Sequence, residues 1–514
     1  MLIAIIEAFS SEYSKYIPNS QRIVYNEPLL NDVNVQKFVD TELKNITPDL
    51  IVIEANLLIS GMSYWGFRIG MHIRLSRELG EKRYTPIIFI AEEDFDTILT
   101  ANVEATLATT KGCKVVGSDL LNRAIAMNLP IADKSFLQNI IVPKTEKVNR
   151  HSIANIWGAM RLAEITGTTI ALTKEMVEKK TTIYFKYIEA LYEKTDDKIG
   201  DKKTGEIKIP APNKRILLID DQADDGWSEI LQHIFEGADF HVPKTKEEVN
   251  SNEKWDLILL DLRLIVGEDA DASKKPSEFS GVKLLQDIKD ANRGTQVIML
   301  TASNKAWNMK ELLDLGADGY YIKESPESGF SYKMSLENYE SFKKQAEDFL
   351  KRGYLRETFE KHMSNSIAVY KPNLDIAFEL LYKYAQTKQE KYLNYTFLTY
   401  YQVLEMYAND WTNQGENIVS TNFSFHKENL SVAGSYGYYQ KNTTGKGTIN
   451  KKSSITKISY TLAFKVYKDD ICLKDVFGKL NYLRNGKAAH GGNNFVDFQD
   501  VIAIRDLVIE MLQA

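Results

Sequence analysis

The chain has 514 residues, too many for one core at roughly 100–200 residues per domain, and its 44% hydrophobic and 26% charged residues exclude disordered and fibrous classes. A net charge of −6 gives the whole chain no nucleic-acid signature, so any basic surface has to be local. Cys113 and Cys472 are too few for a disulfide framework or a thiolate zinc site and fit a cytoplasmic setting; no signal-like start and no run of 18 apolar residues is present, so no membrane segment is expected.

Short apolar runs alternate with helix-period segments over residues 1–130 and again over 213–325, which predicts two doubly wound α/β units. In the first, the strand candidates are Leu2 to Ile6, Arg22 to Tyr25, Leu50 to Ile53, Pro86 to Ile90 and Lys114 to Val116, with a helix over Gly66 to Leu79. Residues 131–200 read as a helical hairpin, RHSIANIWGAMRLAEI and LTKEMVEKKTTIYFKYIEALYEK broken at TGTT. A polar stretch with two prolines near its end makes 201–212 a linker. The second α/β domain takes 213–330, a connecting helix 331–370 (helix-period over 335–362), and an all-α domain 371–514. The fold class expected is thus multidomain: two doubly wound α/β domains, a helical hairpin and a C-terminal all-α domain.

An insertion at 412–468 interrupts those last helices. From Lys427 to Lys468 it carries eight lysines and one acid, Glu428. Two compatible readings follow: Lys451, Lys452 and their neighbours neutralise phosphates while Tyr436, Tyr438 and Tyr439 stack on bases of single-stranded RNA, or the stretch is a β-hairpin whose alternating strand ISYTLAFKVY packs on the helices.

In the second α/β unit, RILLIDDQ is an apolar strand ending in Asp220 and Asp221, and DLILLDLRL is another ending in Asp261. Ligands gather outside the carboxyl ends of parallel strands, so the three acids converge. Their repulsion calls for a hard cation, and Mg2+ takes carboxylates, waters and phosphate oxygens. Thr301 closes a fourth strand, VIMLTAS, and Lys323 a fifth, GYYIKES, adding a hydroxyl and an ammonium that can bind phosphoryl oxygens. Four strand ends in this order resemble the response-regulator receiver domain. The resemblance implies that Asp261 is the phosphoacceptor, that Asp220, Asp221, Asp261 and the backbone carbonyl of Arg263 hold Mg2+, and that Thr301, Tyr320 and Lys323 form the switch. Two departures stand out: Glu324 follows the lysine where many relatives have proline, and VGEDADASKKPSEFSG lengthens the loop after Asp261.

The first unit resembles the same fold without its chemistry. Glu7 stands where the acidic pair belongs, Glu54 near the acceptor position, and Ala91 in place of the hydroxyl. It reads as a degenerate receiver for dimerisation or docking, or as an unrelated α/β domain, and Glu7 with Glu54 is a weak metal candidate. In the hairpin, His151, Ser152, Ile153 and Asn155 resemble the phosphoacceptor helix of histidine kinases and phosphotransfer domains, which makes His151 a candidate phosphohistidine; a dimerising hairpin is the alternative.

Near the end, VFGKLNYLRNGKAAHGG sets Arg484, Asn485 and His490 after an apolar helix. This resembles the HEPN superfamily (higher eukaryotes and prokaryotes nucleotide-binding), helical domains whose ribonuclease members carry an arginine, a polar residue and a histidine. The resemblance, over residues 371–514, implies metal-independent RNA cleavage at a site shared across a homodimer or higher oligomer. There His490 moves protons, Arg484 stabilises charge on phosphorus and Asn485 orients the ring or backbone. Glu405 is a candidate partner for the arginine or histidine. The combined expectation is a two-component effector in which a histidine kinase or phosphotransfer protein phosphorylates Asp261 and so controls RNA cleavage. Such chains resemble effectors of bacterial phage defence. The competing expectation is a non-catalytic relay or dimerisation scaffold using Asp261 and His151.

Overall fold

The structure is a computed structural model. It describes the chain except for residues 26–30, 58–63, 144–149, 170, 172, 193–207, 244–247, 249–252, 266–274, 303–305, 364–367, 415–422, 431–433, 442–453, 467–478, 490–494 and 514.

The first unit is a five-stranded parallel sheet of β1 (Ile3–Glu7), β2 (Ser20–Val24), β3 (Leu50–Glu54), β4 (Ile87–Ile90) and β5 (Cys113–Val116), in the order β2, β1, β3, β4, β5. Its helices are α1 (Asp32–Glu42), α2 (Trp65–Leu75), α3 (Phe95–Ala101) and α4 (Leu121–Ala126). Alternate strand residues feed two cores: Ala4, Ile6, Ile51 and Ile53 face one layer, and Ile3, Ile5, Leu50 and Val52 the other. A sheet covered on both faces needs apolar residues at successive positions, which is why these strands read as continuous apolar runs. The helix expected over Gly66 to Leu79 ends earlier, at Leu75, and gives way to a 3-10 segment, Arg77–Tyr84, bent at Gly80 (φ +55°).

The described residues of 131–200 form a 3-10 segment (Lys134–Gln138) and three α-helices rather than a two-helix hairpin: α5 (Arg150–Thr166), α6 (Lys174–Thr181) and α7 (Ile183–Tyr192). Thr182, with ψ 143°, interrupts the second segment, and its hydroxyl accepts from the Phe185 N–H. Much of their apolar surface packs within the chain. Ile153 and Ile156 of α5 pack on Tyr184, Phe185 and Ile188 of α7, Ala159 and Leu162 of α5 enter the second unit's core, and Ile183 and Ala190 of α7 enter the first unit's.

The second unit repeats the plan. Its sheet order is β9 (Asp239–His241), β7 (Arg215–Ile219), β10 (Leu257–Asp261), β11 (Val297–Thr301), β12 (Gly319–Ile322), all parallel. A small pair, β6 (Ile209–Pro210) with β8 (Phe235–Glu236), lies beside it. Residues 209–211 are therefore not linker: Ile209 and Ala211 are buried in the core. The helices are α8 (Ser228–Ile234), α9 (Ser280–Ala291) and α10 (Ala306–Asp314). The connecting helix expected over 331–370 is two helices, α11 (Tyr332–Phe349) and α12 (Gly353–Met363). Tyr339, Phe342, Ala346 and Phe349 of α11 belong to this unit's core, whereas Leu355 of α12 belongs to the C-terminal one, so each helix follows its own core.

In the C-terminal region α13 (Lys371–Thr387), α14 (Lys391–Gln414), α15 (Ser454–Lys465) and α16 (Phe498–Gln513) enclose a core built on Phe378, Phe397, Tyr400, Leu404, Ile458, Ile504 and Val508. The region is not all-α, because β13 (Phe423–Leu430) and β14 (Gly434–Lys441) form an antiparallel hairpin. The stretch ISYTLAFKVY, expected as a strand, lies mostly in α15. Its polar positions Ser459 and Thr461 are fully buried beside Ile458, Tyr460 and Leu462, so the alternation does not mark a wet and a dry face. Tyr438 pairs with His426 and Tyr439 with Phe425 in the hairpin, while Lys451 and Lys452 lie outside the described residues. Among the described residues, no helix is long and apolar enough to cross a membrane.

Candidate functional site

Four strand tips of the second unit meet. Leu260 of β10 pairs with Ile219 of β7, so Asp261 and Asp220 leave adjacent strands side by side, and the Lys323 N–H donates to the Thr301 carbonyl at 2.7 Å where β12 leaves β11. Asp220, Asp261, Thr301 and Lys323 are all buried, and Asp221 reaches solvent. Carboxylate oxygens of Asp220, Asp221 and Asp261 lie within 4.8 Å of one another. The Lys323 ammonium bridges two of them, 2.6 Å from Asp220 Oδ2 and 2.7 Å from Asp261 Oδ1. The remaining oxygens are held by backbone: Gln222 N–H donates to Asp220 Oδ1 at 2.9 Å and Arg263 N–H to Asp261 Oδ2 at 2.8 Å. Arg263 thus meets the acceptor through its N–H. Tyr320 is half-buried against the core on the α9 side, its backbone N–H donating to Gln345 Oε1 at 3.2 Å.

Burial pushes Asp261 up to about 7, with Lys323 opposing and Asp220 adding, and burial together with Asp220 pushes Asp221 up to about 6. Burial alone would lower the Lys323 ammonium, but Asp220 and Asp261 outweigh it and hold its pKa above the ordinary range. One ammonium therefore leaves part of the acidic charge uncompensated. That excess, with Asp221 open to solvent, suits a hard divalent cation, which favours carboxylate oxygens and added water. Asp220, Asp221 and Asp261 are the residues that would hold it.

Sequence reasoning missed three supports of this site. Gly281 opens α9 beside the acceptor, and a Cβ there would fall 2.1 Å from the Asp261 carbonyl oxygen, so no larger residue fits. Trp227 is fully buried with its ring under the Lys323 ammonium at 5.1 Å. The third support is Asn155 of α5, whose Oδ1 accepts from Lys323 Nζ at 3.0 Å. Asn155 was visible only as part of the motif around His151; the His151 side chain lies outside the described residues.

The corresponding tips of the first unit are closed by their own side chains. Glu7, fully buried, accepts from Arg22 Nε at 2.5 Å and Ser14 Oγ at 2.9 Å, and Glu54 accepts from Ala8 N–H at 2.7 Å and Ser11 Oγ at 2.8 Å. A guanidinium takes the charge that the weak metal reading gave to a cation, and the two acids have separate partners.

In the C-terminal region, Arg484 and Asn485 sit in a π-helical turn, Leu483–Ala488, where Ala489 N–H donates to the Arg484 carbonyl at 2.9 Å. Arg484 Nη1 donates to Asn485 Oδ1 at 2.7 Å, and Asn485 Nδ2 to buried Asn481 Oδ1 at 2.9 Å. The guanidinium stands 5.6 Å from the Tyr401 ring centroid. Burial, with Glu405 adding and Arg484 opposing, pushes the Tyr401 phenol up to about 12, so all three groups share one neighbourhood. His490 lies outside the described residues.

Residues 4–116 match the family described as Inactive Receiver domain. The chain is similar to the "Chemotaxis protein CheY" of Halobacterium salinarum, 28% identical over 114 residues that cover 21% of this chain and 84% of that protein. Among solved structures, a CheY-like receiver domain protein from Methanospirillum hungatei is 26% identical, covering 26% of this chain and 97% of that one, with a TM-score of 0.19. The response regulator TrrA of Thermotoga maritima, solved in complex with Mg(2+)-BeF, is 25% identical, covering 26% and 98%, with a TM-score of 0.19. Residues 4–116 are thus similar to the inactive receiver family, and 114 residues of the chain are similar to a CheY protein.

Proposed function

We infer that the chain is a two-component effector whose second α/β unit accepts a phosphoryl group on Asp261 and thereby controls RNA cleavage by the C-terminal domain. The observation that carries the phosphoryl-accepting half is the triad of carboxylates within 4.8 Å, with Lys323 between Asp220 and Asp261. Bound at Asp220, Asp221 and Asp261, Mg2+ would neutralise acidic charge and supply coordination for phosphate oxygens; the relative from Thermotoga maritima was solved with Mg(2+)-BeF. Asp261 Oδ would attack phosphorus while the donor's leaving group departs with the bonding electron pair, and Lys323 and Thr301 would engage the new phosphoryl oxygens. The donor would be a histidine kinase or phosphotransfer protein.

For the C-terminal domain the proposed chemistry is metal-independent. The 2′-hydroxyl of RNA attacks the adjacent phosphate, the 5′-oxygen leaves, and a cyclic phosphate results. Arg484 would stabilise charge on phosphorus and His490 would move the proton, with a second copy of the chain supplying the complementary acid or base. Asn485, held by Arg484 and Asn481, would fix the orientation of the guanidinium. We expect RNA cleavage to persist in EDTA and to fall at least 100-fold in His490→Ala and Arg484→Ala. Intact RNA in every phosphorylation state would instead support a non-catalytic relay scaffold. One observation favours that second reading: the helix carrying His151 is seated directly on the Lys323 site. A role in phage defence belongs to the same proposal and would be tested by infecting cells that express the Asp261→Asn or His490→Ala chain.

A further inference from the structure

Helix α5 ends at Thr166, well before the second unit begins at Ile209, yet it is fastened beside that unit's acceptor at four points. Asn155 Oδ1 accepts from Lys323 Nζ at 3.0 Å, and the Asn155 carbonyl accepts from Trp227 Nε1 at 3.2 Å. One turn on, Gly158 passes so close that a Cβ would stand 3.0 Å from the Glu324 carbonyl oxygen and 3.1 Å from Trp227 Cζ2. A further turn on, Arg161 Nε donates to Ser335 Oγ at 3.1 Å, and that hydroxyl donates to Glu324 Oε2 at 2.6 Å. Asn155 is 1% exposed, so its bond to Lys323 is made without competing water.

An ammonium has three N–H donors, and Lys323 has three oxygen acceptors within hydrogen-bond distance: Asp220, Asp261 and Asn155. Two are carboxylates and the third is a neutral amide, which makes the weaker bond. When Asp261 forms an O–P bond and the donor's P–O bond breaks with its electron pair on the leaving group, negative charge moves from the carboxylate to phosphoryl oxygens farther out. The ammonium follows that charge, and its weakest contact is the first to be given up.

We propose that α5 is the second unit's built-in partner and that Asn155 reports the state of Asp261 to it: phosphorylation draws Lys323 away from Asn155 and loosens α5. This rests on the phosphoacceptor reading of Asp261. It adds a relay that runs towards the first unit, because α7 joins α5 to that unit's core.

The test is hydrogen–deuterium exchange on the full chain, with Mg2+ alone and with acetyl phosphate plus Mg2+, while intact mass spectrometry monitors phosphate uptake. Exchange of the α5 amides is expected to rise at least tenfold on phosphorylation, with α9 unchanged and no response in Asp261→Asn. Without phosphate, Asn155→Ala should already raise α5 exchange several-fold, and Gly158→Ala should do the same by wedging the helix off Glu324 without touching the acceptor. A phosphorylated wild-type chain with unmoved α5 amides would overturn the proposal and leave the phosphoacceptor reading intact. A wild-type chain that takes no phosphate would overturn both. Asn155→Ala with wild-type α5 protection would show that the amide holds nothing.

Discussion

At the strand tips the Lys323 ammonium bridges Asp220 and Asp261 and opposes the upward push that burial gives the Asp261 carboxyl. Replacing it by methionine keeps the volume and removes the charge, which leaves Asp220 and Asp261 buried without their cation. Losing one partner of such a cluster typically costs about 3–5 kcal/mol, so Lys323→Met should lower the denaturant midpoint at which α9 loses exchange protection. Adding Asp261→Asn should restore part of that loss, since the two changes share one interaction. The members of this cluster were legible as residues because each ends an apolar run, and parallel pairing brings run ends together whatever the intervening sequence. Asn155 was legible only as a motif on its own helix. Its partner is 168 positions away, and nothing in the local pattern of either segment points to the other. The Arg484 and Asn485 pairing was half legible: the LNYLRN string shows asparagines four apart, but the stack on Tyr401 joins two distant helices.

Elements were most readable where both faces of a sheet are covered, because continuous apolar strands are then required, and both five-stranded sheets follow from that signal. They were least readable where burial surrounds a helix on all sides. Thus α15 buries Ser459 and Thr461 along with its aliphatic residues and imitates an alternating strand. The long charged segment after β12 likewise carried one continuous helical period with only Gly353 to mark the break near Arg352, which arises because α11 and α12 serve different cores. At the start of α9, Gly281 permits an approach that no side chain can share. Gly281→Ala should therefore push α9 from the Asp261 backbone and destabilise the second unit by about 1–3 kcal/mol, the usual range for overpacking. Thermal unfolding followed by circular dichroism would record it as a lower first transition.

Across the molecule, the first unit is tied to the helical segment by a buried polar chain. Lys186 Nζ of α7 donates to His72 Nδ1 at 3.1 Å, which leaves His72 Nε2 to donate to Asp32 Oδ1 at 3.0 Å. Burial and the Lys186 ammonium push His72 down to about 4 from its ordinary 6.5, although Asp32 opposes the shift. The folded chain keeps this ring neutral while an unfolded chain protonates it below about pH 6.5. Unfolding therefore takes up a proton between about pH 6.5 and 4, and stability contributed by this contact is full above that window and lost as pH falls through it. The loss is on the order of 3 kcal/mol at 1.36 kcal/mol per pKa unit, and His72→Gln should flatten the dependence of the melting temperature over those pH values.

The C-terminal helices meet the second unit at the other end of its sheet from Lys323. Asp318, just before β12, binds Lys289 at 2.7 Å and receives the Tyr382 hydroxyl, and Asn292 Nδ2 donates to the Arg356 carbonyl at 3.3 Å. The central α/β unit is consequently gripped at both ends, by α5 at the strand tips and by α12 and α13 at the strand starts. A fragment cut to residues 208–349 would lose both grips at once: Trp227 and the flank of Lys323 would be wetted, and Asp318 would lose Tyr382. Phosphate uptake and lifetime measured on such a piece would describe an amputated domain, so a domain-by-domain dissection of this chain needs α5 supplied, in cis or as a peptide, before its numbers can be carried back to the whole.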